Sequence, residues 1–292
     1  MQSNPTRPVG ILFAAVMLAT VSLSSVSARE DSDLLRFRAE VMASFQQAHP
    51  DANFRADPAD PARILSDSIF VDVTNLYNRV QVTPAGASTR MIEDFTAGML
   101  ASMNQPEDVR TEELVTVLRS AAYIDYLETG DAPHISRPVT DGLYALVMRD
   151  TPRAYQTVGP DAFADESPEA LLKIGTANVA RFLSKVGSEK YDDFVLYYVE
   201  DEPDLTNALA LIPEFWDTVR AEFGEEFVFI IPRRDQIFVF GGPLQDTLVR
   251  AVAMIDATFS EPINLLSPEV YGLEGGQIIP IWTPEQGMVQ KL

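Results

Sequence analysis

The 292-residue chain has no cysteine, which excludes disulfides, thiol catalysis and cysteine-ligated metals. Its two histidines, His49 and His134, are too few for a histidine-rich metal centre. Positive charge is scarce as well: 22 Lys and Arg stand against 43 Asp and Glu, a net charge of −21. Neutralising phosphate takes clustered basic side chains, so nucleic acid and anionic lipid are poor generic partners. Lysine is confined to Lys173, Lys185, Lys190 and Lys291. The sequence has no Gly-rich loop ending in Gly-Lys-Ser/Thr, no dinucleotide fingerprint, no His-Glu-x-x-His and no Gly-x-Ser-x-Gly elbow. Nor does an apolar run reach the ~20 residues that span a bilayer comfortably.

An export signal is present. Arg7 precedes the apolar stretch Val9 to Val21, and the polar run Ser22 to Ser27 follows. Val26-Ser27-Ala28 sets small residues where signal peptidase reads them. Cleavage is therefore expected after residue 28, through the general export pathway and without a retained membrane anchor. A lipid anchor is excluded, because no cysteine follows the apolar run. With 46% apolar and 22% charged residues, the remainder reads as a globular chain. No low-complexity linker divides it, so residues 29–292 are expected to form a single periplasmic domain.

Periodicity supplies the elements. Leu34, Phe37, Val41 and Phe45 lie at helical spacing over Asp31 to Gln47, and Ile92, Phe95, Met99 and Met103 repeat the pattern. Ile69 to Val73 alternates as a strand; Leu114 to Leu118 reads as another, and Tyr123 to Leu127 is a further strand candidate. Gly142 to Arg149 and Arg153 to Val158 predict a hairpin. Ser167-Pro168 opens a helix that Lys185 and Gly187 close. Phe194 to Val199 is a strand, followed by the acidic loop Glu200 to Asp204 and a helical stretch to Phe223, reset at Pro213. Phe227 to Ile231 and Gln236 to Phe240 flank the turn Pro232-Arg-Arg-Asp235. Leu244 to Phe259 is the last long helix, and Gln277 to Trp282 the last strand. Several strands are apolar at nearly every position, as strands covered on both faces are. The expected fold is α+β (mixed α/β), a compact mixed sheet with helices on both faces. The order helix, strand pair, helix, strands at 33–127 recurs at 205–282, which suggests an internal pseudo-repeat.

Several segments carry a resemblance. They are the helix with Ala177-Asn178, the strand Phe194 to Tyr198 and Asp204-Leu-Thr before a helix. Ile231-Pro-Arg-Arg-Asp-Gln-Ile, Pro262-Ile-Asn-Leu-Leu266, Gly275-Gly-Gln-Ile-Ile-Pro280 and Val117-Leu-Arg-Ser120 complete the set. With these, residues from about Leu34 to Pro280 resemble the YtpQ-like family, an uncharacterised bacterial domain of unknown function. The resemblance implies a shared fold and brings no activity. Members of that family are mostly cytoplasmic, so the export signal departs from it.

The acidic loop is the most pointed local feature. Asp201, Glu202 and Asp204 could converge on a hard divalent cation; the plainer reading is that Asp204 caps the next helix while its neighbours stay solvated. Arg119, after an apolar strand, either binds an anionic ligand or pairs with a carboxylate. Asn178, among apolar helix neighbours, is a ligand candidate or a structural amide. Arg234 and Asp235 are ordinary charge at a hairpin tip, or part of a binding site. Without catalytic signatures, the sequence favours an exported, soluble, non-enzymatic periplasmic binding or interaction protein, acting on an unknown protein or small ligand without a cofactor. The alternative is a hydrolase using carboxylates or a divalent metal. Convergence of the loop carboxylates with Asp235 and Arg119 would favour the hydrolase, and their dispersal the binding protein.

Overall fold

The computed structural model describes residues 32–289 except 59, 67–69, 85, 104–108, 131, 152–154, 164 and 261–263. The export signal expected over 1–28 lies outside the described residues. Contacts divide the chain into two compact units, Met1–Met103 and Asn104–Leu292. No helix among the described residues is long and apolar enough to cross a membrane.

In the first unit, helix α1 (32–48) precedes strands β1 (Arg55–Ala56), β2 (Arg63–Leu65) and β3 (Phe70–Asp72), which pair antiparallel in that order. Helices α2 (Thr74–Gln81) and α3 (Ser88–Met103) complete it. The helical spacing of Phe37, Val41 and Phe45 places all three in one apolar cluster, with Phe54, Ile64, Val71 and Ile92. Phe45 meets Phe54 with tilted rings, 4.9 Å between ring centres.

The second unit holds two sheets. Strands β4 (Leu114–Ser120), β5 (Ser136–Pro138), β6 (Leu143–Asp150) and β7 (Tyr155–Thr157) form the smaller one, with β4 along one edge against β6. Helix α4 (Ala121–Thr129) follows β4 directly, and α5 (Pro168–Ala180) packs on it. The larger sheet contains β8 (Val186–Lys190), β9 (Val195–Val199), β10 (Phe227–Arg233), β11 (Gln236–Gly241), β12 (Val270–Glu274), β13 (Gln277–Thr283) and β14 (Gly287–Met288). Its spatial order is β14-β13-β12-β10-β11-β9-β8. Between β9 and β10 run a 3₁₀ helix (Pro203–Leu211) and α6 (Pro213–Phe223); α7 (Leu244–Phe259) joins β11 to β12.

Alternation explains the layering. Phe227, Phe229 and Ile231 face a core shared with Phe215, Trp216, Val117 and Leu146, whereas Val228 and Ile230 face Ala251 and Ile255 of α7. Beyond the smaller sheet, Leu114, Ala145 and Val147 pack against Leu171 and Leu172 of α5. Both sheets are thus covered on two sides, as their unbroken apolar strands require.

The α+β class is what the structure shows, but the described strand pairs are all antiparallel and fall into three sheets rather than one mixed sheet. Short connections such as 234–235 and Gly275-Gly276 return the chain at once, which a parallel neighbour does not allow. Tyr123 to Leu127, a strand candidate by composition, lies inside helix α4 (Ala121–Thr129), which Ser120 caps by accepting the Tyr123 amide at 3.3 Å. Residues 205–211 form a 3₁₀ helix before Pro213 starts α6. Of the two stretches with similar element order, 33–127 is split between the units, and 205–282 lies within the second.

Candidate functional site

Arg119 is the sixth residue of β4, whose first five are buried Leu, Val and Thr. The strand carries the guanidinium inward with them, to 4% exposure. There it donates to the Leu118 carbonyl at 2.8 Å and to Met148 Sδ of β6 at 3.4 Å, and lies 5.8 Å from the Tyr123 ring centre. A guanidinium has five N–H donors. Among the described residues, this one has those two acceptors and no carboxylate within ion-pair reach. Burial, and then the like charge of Arg234, lower its pKa to about 10, with Tyr123, Asp204 and Tyr155 pulling the other way. The group remains cationic at neutral pH.

Asn207 brings the second guanidinium into place. Its Oδ1 accepts the Leu118 amide at 2.7 Å, and its Nδ2 donates to the carbonyls of Arg234 at 2.8 Å and Asp204 at 2.9 Å. Its own amide also donates to the Arg234 carbonyl, at 3.1 Å. The Leu118 amide lies on an edge strand, where a buried N–H needs a partner from outside the sheet. One side chain, fully buried, thus ties three backbones together: the end of β4, the β10–β11 turn and the start of the 3₁₀ helix. Next to it, Thr206 Oγ1 accepts the Val199 amide at 2.9 Å and adds the end of β9. Asn207 is not singled out from the sequence, and Thr206 enters there only within Asp204-Leu-Thr. The signal was there: a Thr-Asn pair in the otherwise apolar run Leu205 to Ile212 has to spend its polar atoms inside.

The site predicted residue by residue comes together in part. Arg234 is partly buried in the β10–β11 turn; its guanidinium donates to Asn264 Oδ1 and its amide to the Asn264 carbonyl at 3.0 Å. Asp204 is partly buried, and its charge supports the cationic form of Arg119. The Asp204 carboxylate has neither a hydrogen bond nor an ion pair among the described residues. It is not the helix cap: Glu202 holds that position without capping through its side chain, and Asp204 lies in the first 3₁₀ turn. Glu202 accepts from the Tyr155 hydroxyl at 3.2 Å. Burial first, then Asp150 and Glu202, push the Tyr155 phenol well above its ordinary range. Asp150, paired with Arg181 at 3.4 Å, is raised by burial and by Glu202.

Asn178 stands apart from these residues. Asn178 of α5 donates to the Thr111 and Leu114 carbonyls at 2.7 and 2.8 Å, a structural amide fastening α5 to the start of β4. Asp235 has a buried Oδ1 with no hydrogen-bond partner. Asp201 is exposed, with φ at 65°. Among the described residues no three His, Asp or Glu side chains are close enough to hold a metal ion, so Asp201, Glu202 and Asp204 do not make one donor set. The arrangement instead offers a buried cation that feels the charges of Arg234, Tyr123, Asp204 and Tyr155. Comparison with family models, with curated proteins and with solved structures finds no match for the chain.

Proposed function

We propose that the protein is an exported, non-enzymatic binding protein whose ligand presents an anionic group to Arg119 and Arg234. The observation that carries this reading is a buried guanidinium with no carboxylate in contact, in a chain where acids outnumber bases 43 to 22. A buried, unpaired charge costs several kcal/mol, and apolar residues of similar volume often do as well or better for stability. Stability therefore gives little reason for arginine here, while an incoming anion gives a direct one. Guanidinium suits that task because it presents several donors in one plane to a carboxylate or phosphate. The hydrolase alternative draws less support, since Glu202 is engaged by Tyr155 and Asp201 is exposed.

Replacing Arg119 by methionine separates function from structure. Arg119→Met is expected to leave the thermal midpoint of the ligand-free protein unchanged or raised, and to abolish stabilisation by added carboxylate-bearing ligands. A drop of several degrees in the ligand-free variant would make Arg119 a structural residue and end the reading.

A further inference from the structure

The second unit carries an open cleft of about 410 Å³ where β5, the end of the 3₁₀ helix, α6 and the β12–β13 turn come together. That volume falls in the roughly 300–1,000 Å³ range of small-molecule sites. Local sequence builds the walls. The 3₁₀ helix ends at Leu211 and Pro213 opens α6, so Leu211 and Trp216 line the cleft from consecutive elements. Gly275 and Gly276, at φ 56° and 79°, turn the chain back into β13 and bring Gln277 and Ile278 to it. The Trp216 indole N–H already donates to the Ala210 carbonyl at 2.9 Å, so that ring offers the cleft carbon surface and no donor.

Polar recognition therefore falls to two exposed side chains, Arg137 and Gln277. Among the described residues, the Arg137 guanidinium has neither hydrogen bond nor ion pair, and no Asp or Glu lines the cleft. A second cleft shows the opposite arrangement. There, in about 470 Å³ beside the starts of β10 and α7, Arg220 shares the lining with Glu225 and Glu226. It is already paired with Asp217 at 3.2 Å and Glu225 at 3.4 Å. In a chain with 43 acids to 22 bases, an unclaimed guanidinium beside apolar walls selects for an anion with an apolar body.

We infer that this cleft binds a small amphipathic monocarboxylate, its head on Arg137 and Gln277 and its hydrocarbon body on Leu211, Trp216 and Ile278. One guanidinium matches one carboxylate through two parallel N–H donors. A phosphate monoester would bring a second negative charge and find no second cation in the lining. Seating the body excludes water and strengthens a charge pair that full exposure would leave weak. The site shares no residue with the Arg119 and Arg234 reading and does not rest on it.

The test is titration calorimetry of the protein with octanoate and 3-phenylpropanoate, each beside its primary amide, and with octylamine, octyl phosphate and acetate. At least one of the two carboxylates is expected to bind. Its amide and acetate should be weaker by about tenfold or more, the scale of one charge-assisted pair. Arg137→Gln should reduce the carboxylate to the affinity of its amide. Pro213→Glu, which sets an acid in the lining at a helix start that favours one, should weaken the carboxylate more than the amide. Equal binding of acid and amide, or tighter binding of octyl phosphate or octylamine, would refute the carboxylate head. Carboxylate binding that survives Arg137→Gln but is lost in Arg119→Met would move the ligand to the buried arginine and refute the cleft. Binding of neither carboxylate would refute it too, and leaves the buried-arginine reading to its own test.

Discussion

A single buried amide can organise a site more firmly than the charges that define it. Asn207 has one acceptor and two donor hydrogens on its side chain, and here they meet the Leu118 amide and the Asp204 and Arg234 carbonyls. Truncation to alanine leaves those backbone groups without that partner, and a buried unsatisfied group costs about 1–3 kcal/mol. The Arg234 carbonyl keeps the Asn207 amide, so its loss is partial. Asn207→Ala should therefore destabilise by roughly 3–5 kcal/mol in urea unfolding, on that per-group scale. The expected loss is too large for a surface contact, and a value below about 1 kcal/mol would show that the node does not hold the three backbones together. Arg119 contrasts with it. Asn207 is inward because its polar atoms are matched, whereas the guanidinium is inward with most of its donors unmatched.

Between elements, α5 comes up closely against the backbone of β4 at Gly175. A Cβ added at Gly175 would come within 2.8 Å of the Thr116 amide nitrogen and 2.9 Å of the Val115 carbonyl carbon, both backbone atoms of the strand. Two effects of opposite sign compete in Gly175→Ala. Helix propensity favours alanine by about 1 kcal/mol, while overpacking against unyielding backbone costs typically 1–3 kcal/mol and sometimes more. The second should win, giving a net loss of up to about 2 kcal/mol by denaturant titration on those figures; a gain in stability would mean that α5 can shift off β4. Elements like these were legible where apolar spacing is local: Val41 and Phe45 of α1, or Phe229 and Phe238 of the β10–β11 hairpin, are buried as their patterns predict. Tyr123 to Leu127 was not, because its composition suits either state and the cap at Ser120 decides. The site followed the same rule. Arg119, Asp204 and Arg234 stood out singly, but their meeting depends on pairings across 89 positions, such as Leu118 with Asn207, which no local spacing encodes.

At the scale of the whole molecule, charge sets the terms on which any ligand arrives. A net charge of −21 gives a field that repels free anions at long range, though salt at ~0.15 M confines it to roughly 8 Å. An anion-binding group must then act at short range and in low dielectric, as a buried guanidinium does. The same charge bears on location. The signal read over residues 1–28 contains one basic side chain, Arg7, and no acid, so all 43 acidic residues belong to the part that follows. Because Val26-Ser27-Ala28 ends an apolar stretch too short to span a bilayer, the mature chain is expected to begin at Arg29 and to leave the cell on osmotic shock. Intact-mass measurement on the released fraction checks both points together. Recovery of the chain in the membrane pellet with residues 1–28 attached would refute cleavage, and would place Arg119 and Arg234 on a membrane-tethered protein instead of a freely diffusing one.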